Sequence, residues 1–238
     1  MKTEMIDYRD GDVTLRGYLA YDDTKSGKRP GVLVMPGGFG LGNNAKERCV
    51  MLARMGYVAM AGDPYGGGIE IDDLNEVMQR VTDLRADNAQ FRRRGMAALD
   101  QLLLQPQVDP HRIAAIGYCL GGTFVLELAR DGAPIVGVVT FHGGLETKSP
   151  ATPGAVKARL LVLTGADDPT VLPARIDAFA DEMTKAGADW QVVIYSGTKH
   201  AFTYPDAAAR KIAWIEYKKS SDDRSWKAMQ TFFDEIFR

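Results

Sequence analysis

Residues 114–124 read Ala-Ala-Ile-Gly-Tyr-Cys-Leu-Gly-Gly-Thr-Phe. The apolar start suits a strand buried on both faces. Gly117 and Gly121 then stand two residues either side of Cys119, and an apolar helical pattern runs on to Arg130. A strand that turns sharply into a helix leaves no room for side chains flanking the turn. The Gly-x-Cys-x-Gly spacing therefore predicts an elbow that lifts Cys119 out at a helix N-terminus. There the helix dipole favours a thiolate, and the backbone N–H of Leu120 is free to bind an oxyanion. Taken alone, a cysteine among small residues reads equally well as a buried small hydrophobe. The rest of the chain decides between these readings.

Outward from the elbow, short β-rich runs alternate with longer helical ones. Residues 13–21, 31–35, 57–61, 112–117, 135–141, 160–164 and 190–195 read as strands. Residues 44–55, most of 74–104, 121–130, 173–186 and 225–237 carry helical spacing. This alternation predicts an α/β fold with a mostly parallel central sheet and helices on both faces. No repeat or long Pro/Gly/Ser linker interrupts it, so a single domain over residues 1–238 is expected. Active sites of such sheets lie at the carboxyl ends of the strands.

The 238 residues are 45% hydrophobic and 25% charged, with a formal net charge of -2. That balance gives no reason to expect a nucleic-acid or membrane partner. The one basic cluster, Arg92 to Arg94, reads as a solvated helix face. No leader or membrane-length apolar run is visible, and two cysteines in unlike contexts make no disulfide framework. A reducing, cytoplasmic setting is expected. The three histidines are far apart in sequence, and neither a metal nor a cofactor is implied.

Two further strand ends carry conspicuous polar residues. Gly165-Ala166-Asp167-Asp168 follows one strand, and Lys199-His200-Ala201-Phe202 follows another. Nucleophile, acid and histidine thus appear in the chain order of an α/β-hydrolase triad. Spacing alone leaves both Asp167 and Asp168 as the acid. Cys49, beside Val50 and Leu52 in a helical pattern, reads as core. His142 has two readings, a pocket wall or a hydrogen-bond partner of a neighbouring loop, with the second favoured. Asp63 is either a site residue or a turn former before Pro64.

With these motifs in hand, the chain resembles the dienelactone hydrolase family of α/β-hydrolases. The resemblance rests on Gly117 to Gly122, Gly165 to Asp168, Lys199 to Phe202, Gly56-Tyr57 with Asp63-Pro64-Tyr65, and Phe141 to Gly144. It implies an α/β-hydrolase fold and a Cys119–Asp168–His200 triad. Matching Phe39-Gly40 to the family's Phe-Gly implies that Gly38 supplies a second oxyanion donor beside Leu120. The founding members carry Glu where this chain has Gly37, and a substrate-binding Arg where it has Tyr204. Their second substrate arginine has no aligned counterpart here; Arg80, Arg85 and the Arg92–Arg94 cluster are all nearby. Phe39, Tyr65, Phe202 and Tyr204 are expected on the pocket rim, with His142 nearby.

The expected activity is cysteine-dependent hydrolysis of activated esters or lactones, with a small-molecule ester as the partner and a monomer or homodimer as the assembly. Losing Glu and Arg makes the pocket more neutral, so hydrolysis of neutral phosphotriesters is the leading alternative. A thiol redox sensor and a non-catalytic binding module on the same scaffold complete the set.

Overall fold

The computed structural model describes residues Met1–Arg238. Its strands are β1 (Lys2–Asp10), β2 (Val13–Tyr21), β3 (Arg29–Met35), β4 (Val58–Ala61), β5 (Val108–Tyr118), β6 (Gly137–Phe141), β7 (Arg159–Gly165) and β8 (Trp190–Tyr195). They form one sheet in the order β1-β2-β4-β3-β5-β6-β7-β8. β1 pairs antiparallel with β2, β2 pairs antiparallel with β4, and every other pairing is parallel. The helices are α1 (Asn43–Arg54), α2 (Leu74–Ala86), α3 (Asn88–Leu103), α4 (Leu120–Arg130), α5 (Pro173–Ala186) and α6 (Lys219–Ile236). This is an α/β-hydrolase architecture.

The strand period of two divides the core. Leu33, Met35, Ile113 and Ala115 face a cluster that includes Leu84, Phe91, Phe124, Phe179 and Met183 from α2 to α5. Val32, Val34, Ala114 and Ile116 face Leu52, Met229 and Phe233 from α1 and α6. Buried on both sides, these strands are continuous apolar runs rather than alternating ones. No helix is long and apolar enough to cross a membrane.

Strand order places the site. From β3 the chain steps out to β4, then returns to β5 on the other side of β3. Connections that leave in opposite directions open a crevice at the carboxyl ends of those two strands. The loop after Met35 and the turn after Tyr118 border that crevice.

Four features differ from expectation. The stretch 74–104 is two helices because Asp87 is extended (φ -109, ψ 104) and caps α3, accepting from the N–H groups of Ala89 and Gln90. β1 is a strand despite its polar sequence, since backbone pairing to β2 along its length holds it. α6 starts six residues before Ser225, through the polar run Lys219 to Arg224. Arg92 and Arg94 are not on a solvated face: Arg94 is buried against Asp10, and Arg92 holds the buried Glu127. Of the three, Arg93 alone is exposed.

Candidate active site

Cys119 occupies the turn from β5 into α4 with φ 54 and ψ -116, a region that side-chain-bearing residues rarely visit. Its backbone N–H is shared between Phe141 O at 3.0 Å and His142 Nδ1 at 3.2 Å. The flanking glycines are forced by close approach. A Cβ on Gly117 would collide with the Gly121 carbonyl, and one on Gly121 with the Met35 carbonyl. The helix N-terminus therefore sits directly on the ends of β5 and β3.

The acid and histidine loops are joined by backbone. A Cβ on Gly165 would strike the Thr198 carbonyl, and Asp167 N–H donates to Thr198 O at 3.0 Å. Asp167 itself is exposed, while Asp168 is buried. Asp168 Oδ2 lies 2.7 Å from His200 Nδ1, and Oδ1 accepts from the Thr170 hydroxyl at 2.7 Å and its N–H at 2.8 Å. Thr170 Oγ1 is also 3.1 Å from His200 Nδ1. The geometry thus pairs the histidine with Asp168 rather than Asp167.

His200 Nε2 has no partner of full hydrogen-bond geometry, and its coupling to the Cys119 sulfur is chiefly electrostatic. Burial by itself would lower the His200 pKa. The Cys119 charge and the Asp168 hydrogen bond outweigh it, and the imidazole is pushed up to about 10. Burial likewise opposes the Cys119 thiolate. The adjacent His200 charge, with the backbone N–H groups of Gly38 and Leu120, brings the thiol below its ordinary value. Both shifts run in the direction that favours a thiolate beside an imidazolium over the neutral pair. Asp168 is pulled below the usual carboxylate range, against burial, by its bonds to His200 and Thr170.

A cavity of about 470 Å³ opens over this pair. It is lined by Leu74, Val77, Met78 and Val81 from α2 and by Tyr204, Ile212, Trp214 and Ile215 from the segment after His200. Phe39 lines it too, under the Arg210 guanidinium at 4.1 Å. Arg210 ties the 203–218 segment to the loop before α2 through Glu70 and Asp72, each at 2.9 Å.

The remaining expected residues fall in different places. Tyr65 buttresses the loop after β3, donating its hydroxyl to Gly38 O at 2.7 Å. Phe202 is fully buried, edge-on to His142 and Tyr195, away from the cavity wall. His142 is also fully buried, with Nε2 at 2.8 Å from Thr203 Oγ1. Burial and the neighbouring His200 charge hold it well below the ordinary histidine value, so the ring is neutral. Asp63 is a turn organiser whose carboxylate accepts N–H bonds from Arg16, Tyr65, Gly66 and Gly68. Among the candidate substrate arginines, Arg80 pairs with Glu76, and Arg85 lines the cavity. Thr170, Arg210 and Trp214 escaped the sequence reading. The only available signal was Thr170, two residues after Asp168, where a short hydroxyl side chain closes a local turn.

The family model of the dienelactone hydrolase family matches residues 15–237. A solved structure named m3DLH is 44% identical, with a TM-score of 0.95, covering 99% of this chain and 98% of that one. The structure of P91, a dienelactone hydrolase-like promiscuous phosphotriesterase from metagenomic libraries, is 40% identical with a TM-score of 0.94 and the same coverage. A putative carboxymethylenebutenolidase of Aquifex aeolicus is 28% identical over 84% of this chain and 86% of its own length. With a matching family model along nearly its whole length and an α/β-hydrolase sheet beneath the elbow, the chain belongs to the dienelactone hydrolase family and is a hydrolase acting on ester bonds.

Proposed function

We propose that the protein hydrolyses activated esters and lactones with Cys119 as nucleophile, His200 as acid and base, and Asp168 as the group that orients His200. One observation carries the reading. The Cys119 sulfur stands on a strained elbow among three favourable partners, the His200 imidazolium and the N–H groups of Gly38 and Leu120.

The thiolate attacks the ester carbonyl carbon, forming a C–S bond while the carbonyl π electrons move onto oxygen. The Gly38 and Leu120 N–H groups receive that oxyanion, and each such donor is typically worth about 3 kcal/mol. As the intermediate collapses, His200 gives its Nε2 proton to the departing alkoxide or aryloxide, leaving an acyl thioester. Neutral His200 then takes a proton from water, the hydroxide attacks the thioester, and the thiolate leaves. A thiolate is itself a good leaving group, so the first collapse partitions toward product only when the alcohol leaves readily. Aryl and enol esters and lactones meet that condition.

Neutral phosphotriesters form a second reading, supported by the likeness to the promiscuous phosphotriesterase. Gly37 and Tyr204 bring no charge to the nucleophile where founding members carry Glu and Arg. Attack at phosphorus would expel aryloxide and leave an S-phosphoryl enzyme for water to cleave. The deciding experiment compares an aryl acetate, an aryl lactone and a diethyl aryl phosphotriester in wild type and Cys119→Ala, with mass spectrometry of the trapped enzyme. A covalent adduct on Cys119 from the acetate or lactone is expected. Full turnover by Cys119→Ala would eliminate the nucleophile.

A further inference from the structure

Positions 37 and 204 meet beside the nucleophile. A Cβ on Gly37 would lie 2.7 Å from Tyr204 Oη and 3.4 Å from Cys119 Cβ. The phenol oxygen thus fills the space a side chain at 37 would take, next to the loop that carries the Gly38 N–H. The ring is held in place. Tyr204 N–H donates to Ala201 O at 2.9 Å, and the ring stands edge-on to Tyr118 with centroids 6.4 Å apart. The Gly37 N–H is near enough to the phenol oxygen to favour its charged form, against the larger effect of burial. Its hydroxyl hydrogen has no protein acceptor, and the residue lines the cavity.

We propose that the Tyr204 hydroxyl is a third donor to the oxygen that becomes negative when Cys119 attacks, beside the N–H groups of Gly38 and Leu120. The inference rests on the cysteine-nucleophile reading above. A backbone N–H dipole close to Oη polarises the phenol O–H, so its donation to the oxyanion strengthens as charge develops. Burial raises the phenol well above its ordinary value. It therefore keeps its proton throughout the cycle: the hydroxyl donates a hydrogen bond and transfers nothing. A tyrosine is neutral, and this donor adds no charge to select for or against a carboxylate on the substrate.

The test separates an effect on the oxyanion from an effect on the thiolate. Acylation by an aryl acetate builds an oxyanion, whereas alkylation by iodoacetamide uses the same thiolate and builds none. In Tyr204→Phe, which removes one oxygen, the pre-steady-state acylation rate is expected to fall about 100-fold, the usual scale for losing one oxyanion donor. Substrate affinity and the iodoacetamide rate at pH 6 should stay near wild type. Gly37→Ala, whose Cβ displaces the hydroxyl from the other side, should give the same pattern and keeps the test usable if Tyr204→Phe folds poorly. Acylation within threefold of wild type in both variants overturns the proposal. So does a parallel loss of alkylation, which would put Tyr204 on the thiolate rather than on the substrate. Cys119→Ala runs alongside: turnover retained there defeats the nucleophile itself, while turnover lost there but kept in Tyr204→Phe defeats only the third donor.

Discussion

The Arg48 guanidinium and the Asp222 carboxylate, on α1 and α6, meet at 2.7 Å beneath the segment that carries His200 and Tyr204. Both are nearly buried, at 7% and 11% side-chain exposure, which makes this pair unlike the solvent-screened pairs elsewhere on the surface. The same Arg48 Nη2 donates to Thr203 O at 3.0 Å, joined there by Asn44 Nδ2 at 3.1 Å. Thr203 in turn holds His142, whose other nitrogen accepts the Cys119 N–H. One continuous set of hydrogen bonds runs from α6 to the Cys119 backbone.

Removing either charge should therefore unfold more than it inactivates locally. Arg48→Ala leaves Asp222 buried and unpaired and Thr203 O short of a donor, a loss expected to cost about 3–5 kcal/mol. Urea or thermal unfolding measures it. Replacing both partners, as Arg48→Met with Asp222→Leu, should recover a good part of that stability, because the desolvation cost of two charges disappears with them. A single variant with wild-type stability would show that the pair is idle.

The thiolate–imidazolium pair predicts the pH profile. The Cys119 thiol sits below its ordinary value, so thiolate is lost only as pH falls through that lowered pKa. His200 is pushed up to about 10, so its proton, needed by the leaving group, is lost as pH rises through that value. For aryl acetate, kcat/KM should plateau between these limits and fall on both sides. Thiolate absorbance should track the acid limb, and His200→Ala should move that limb up toward an ordinary thiol. Iodoacetamide should label Cys119 readily at pH 6 and leave the buried Cys49 untouched; equal slow labelling of both would contradict the ion pair.

The elbow was readable because its glycines are compelled by backbone contact, and contact of that kind leaves a spacing in the sequence. Gly117 and Gly121 can hardly be anything else. The same holds for residues 13–21, 173–186 and 190–195, whose bounds agree with β2, α5 and β8, since alternation, Pro173 at the helix start and Gly187 at its end are local signals. What stayed hidden depends on partners far along the chain. Lys219 to Arg224 is helical beside a buried Arg48, and β1 is a strand because β2 lies beside it. Trp214 and Arg210 reach the cavity through a segment with little regular structure, so no periodicity marked them. Phe202 has the right sequence position for a pocket rim, but its side chain turns into the core.

Gly121 is the most restrictive position of the elbow. A methyl group there must displace the Met35 carbonyl, which is backbone of a central strand and cannot swing away as a side chain would. Gly121→Ala is expected to destabilise the fold by about 3 kcal/mol, the upper range for overpacking. It should also slow acylation, because the displaced strand end leads into the loop bearing the Gly38 N–H. Chemical denaturation and burst kinetics test the two effects; a stable Gly121→Ala variant with normal acylation would mean that the strand end tolerates the shift.

Trp214 should set the preference for aromatic groups. Its ring centroid is 5.3 Å from that of His200 at an interplanar angle of 55°, and the residue lines the cavity while remaining 36% exposed. An indole beside His200 on the cavity lining offers a flat apolar surface to an aryl ring. It also adds a cation–π contribution to the imidazolium, worth about 0.5–1 kcal/mol at a partly exposed site. Trp214→Ala should therefore raise KM for a naphthyl ester about fivefold, the equivalent of roughly 1 kcal/mol, and lower the basic limb of the pH profile. An activated ester with a small alkyl leaving group should show little change in KM. Trp214→Phe should restore most of the naphthyl affinity. An equal rise in KM for both esters would assign Trp214 to packing of the 203–218 segment and remove its role in selecting the leaving group.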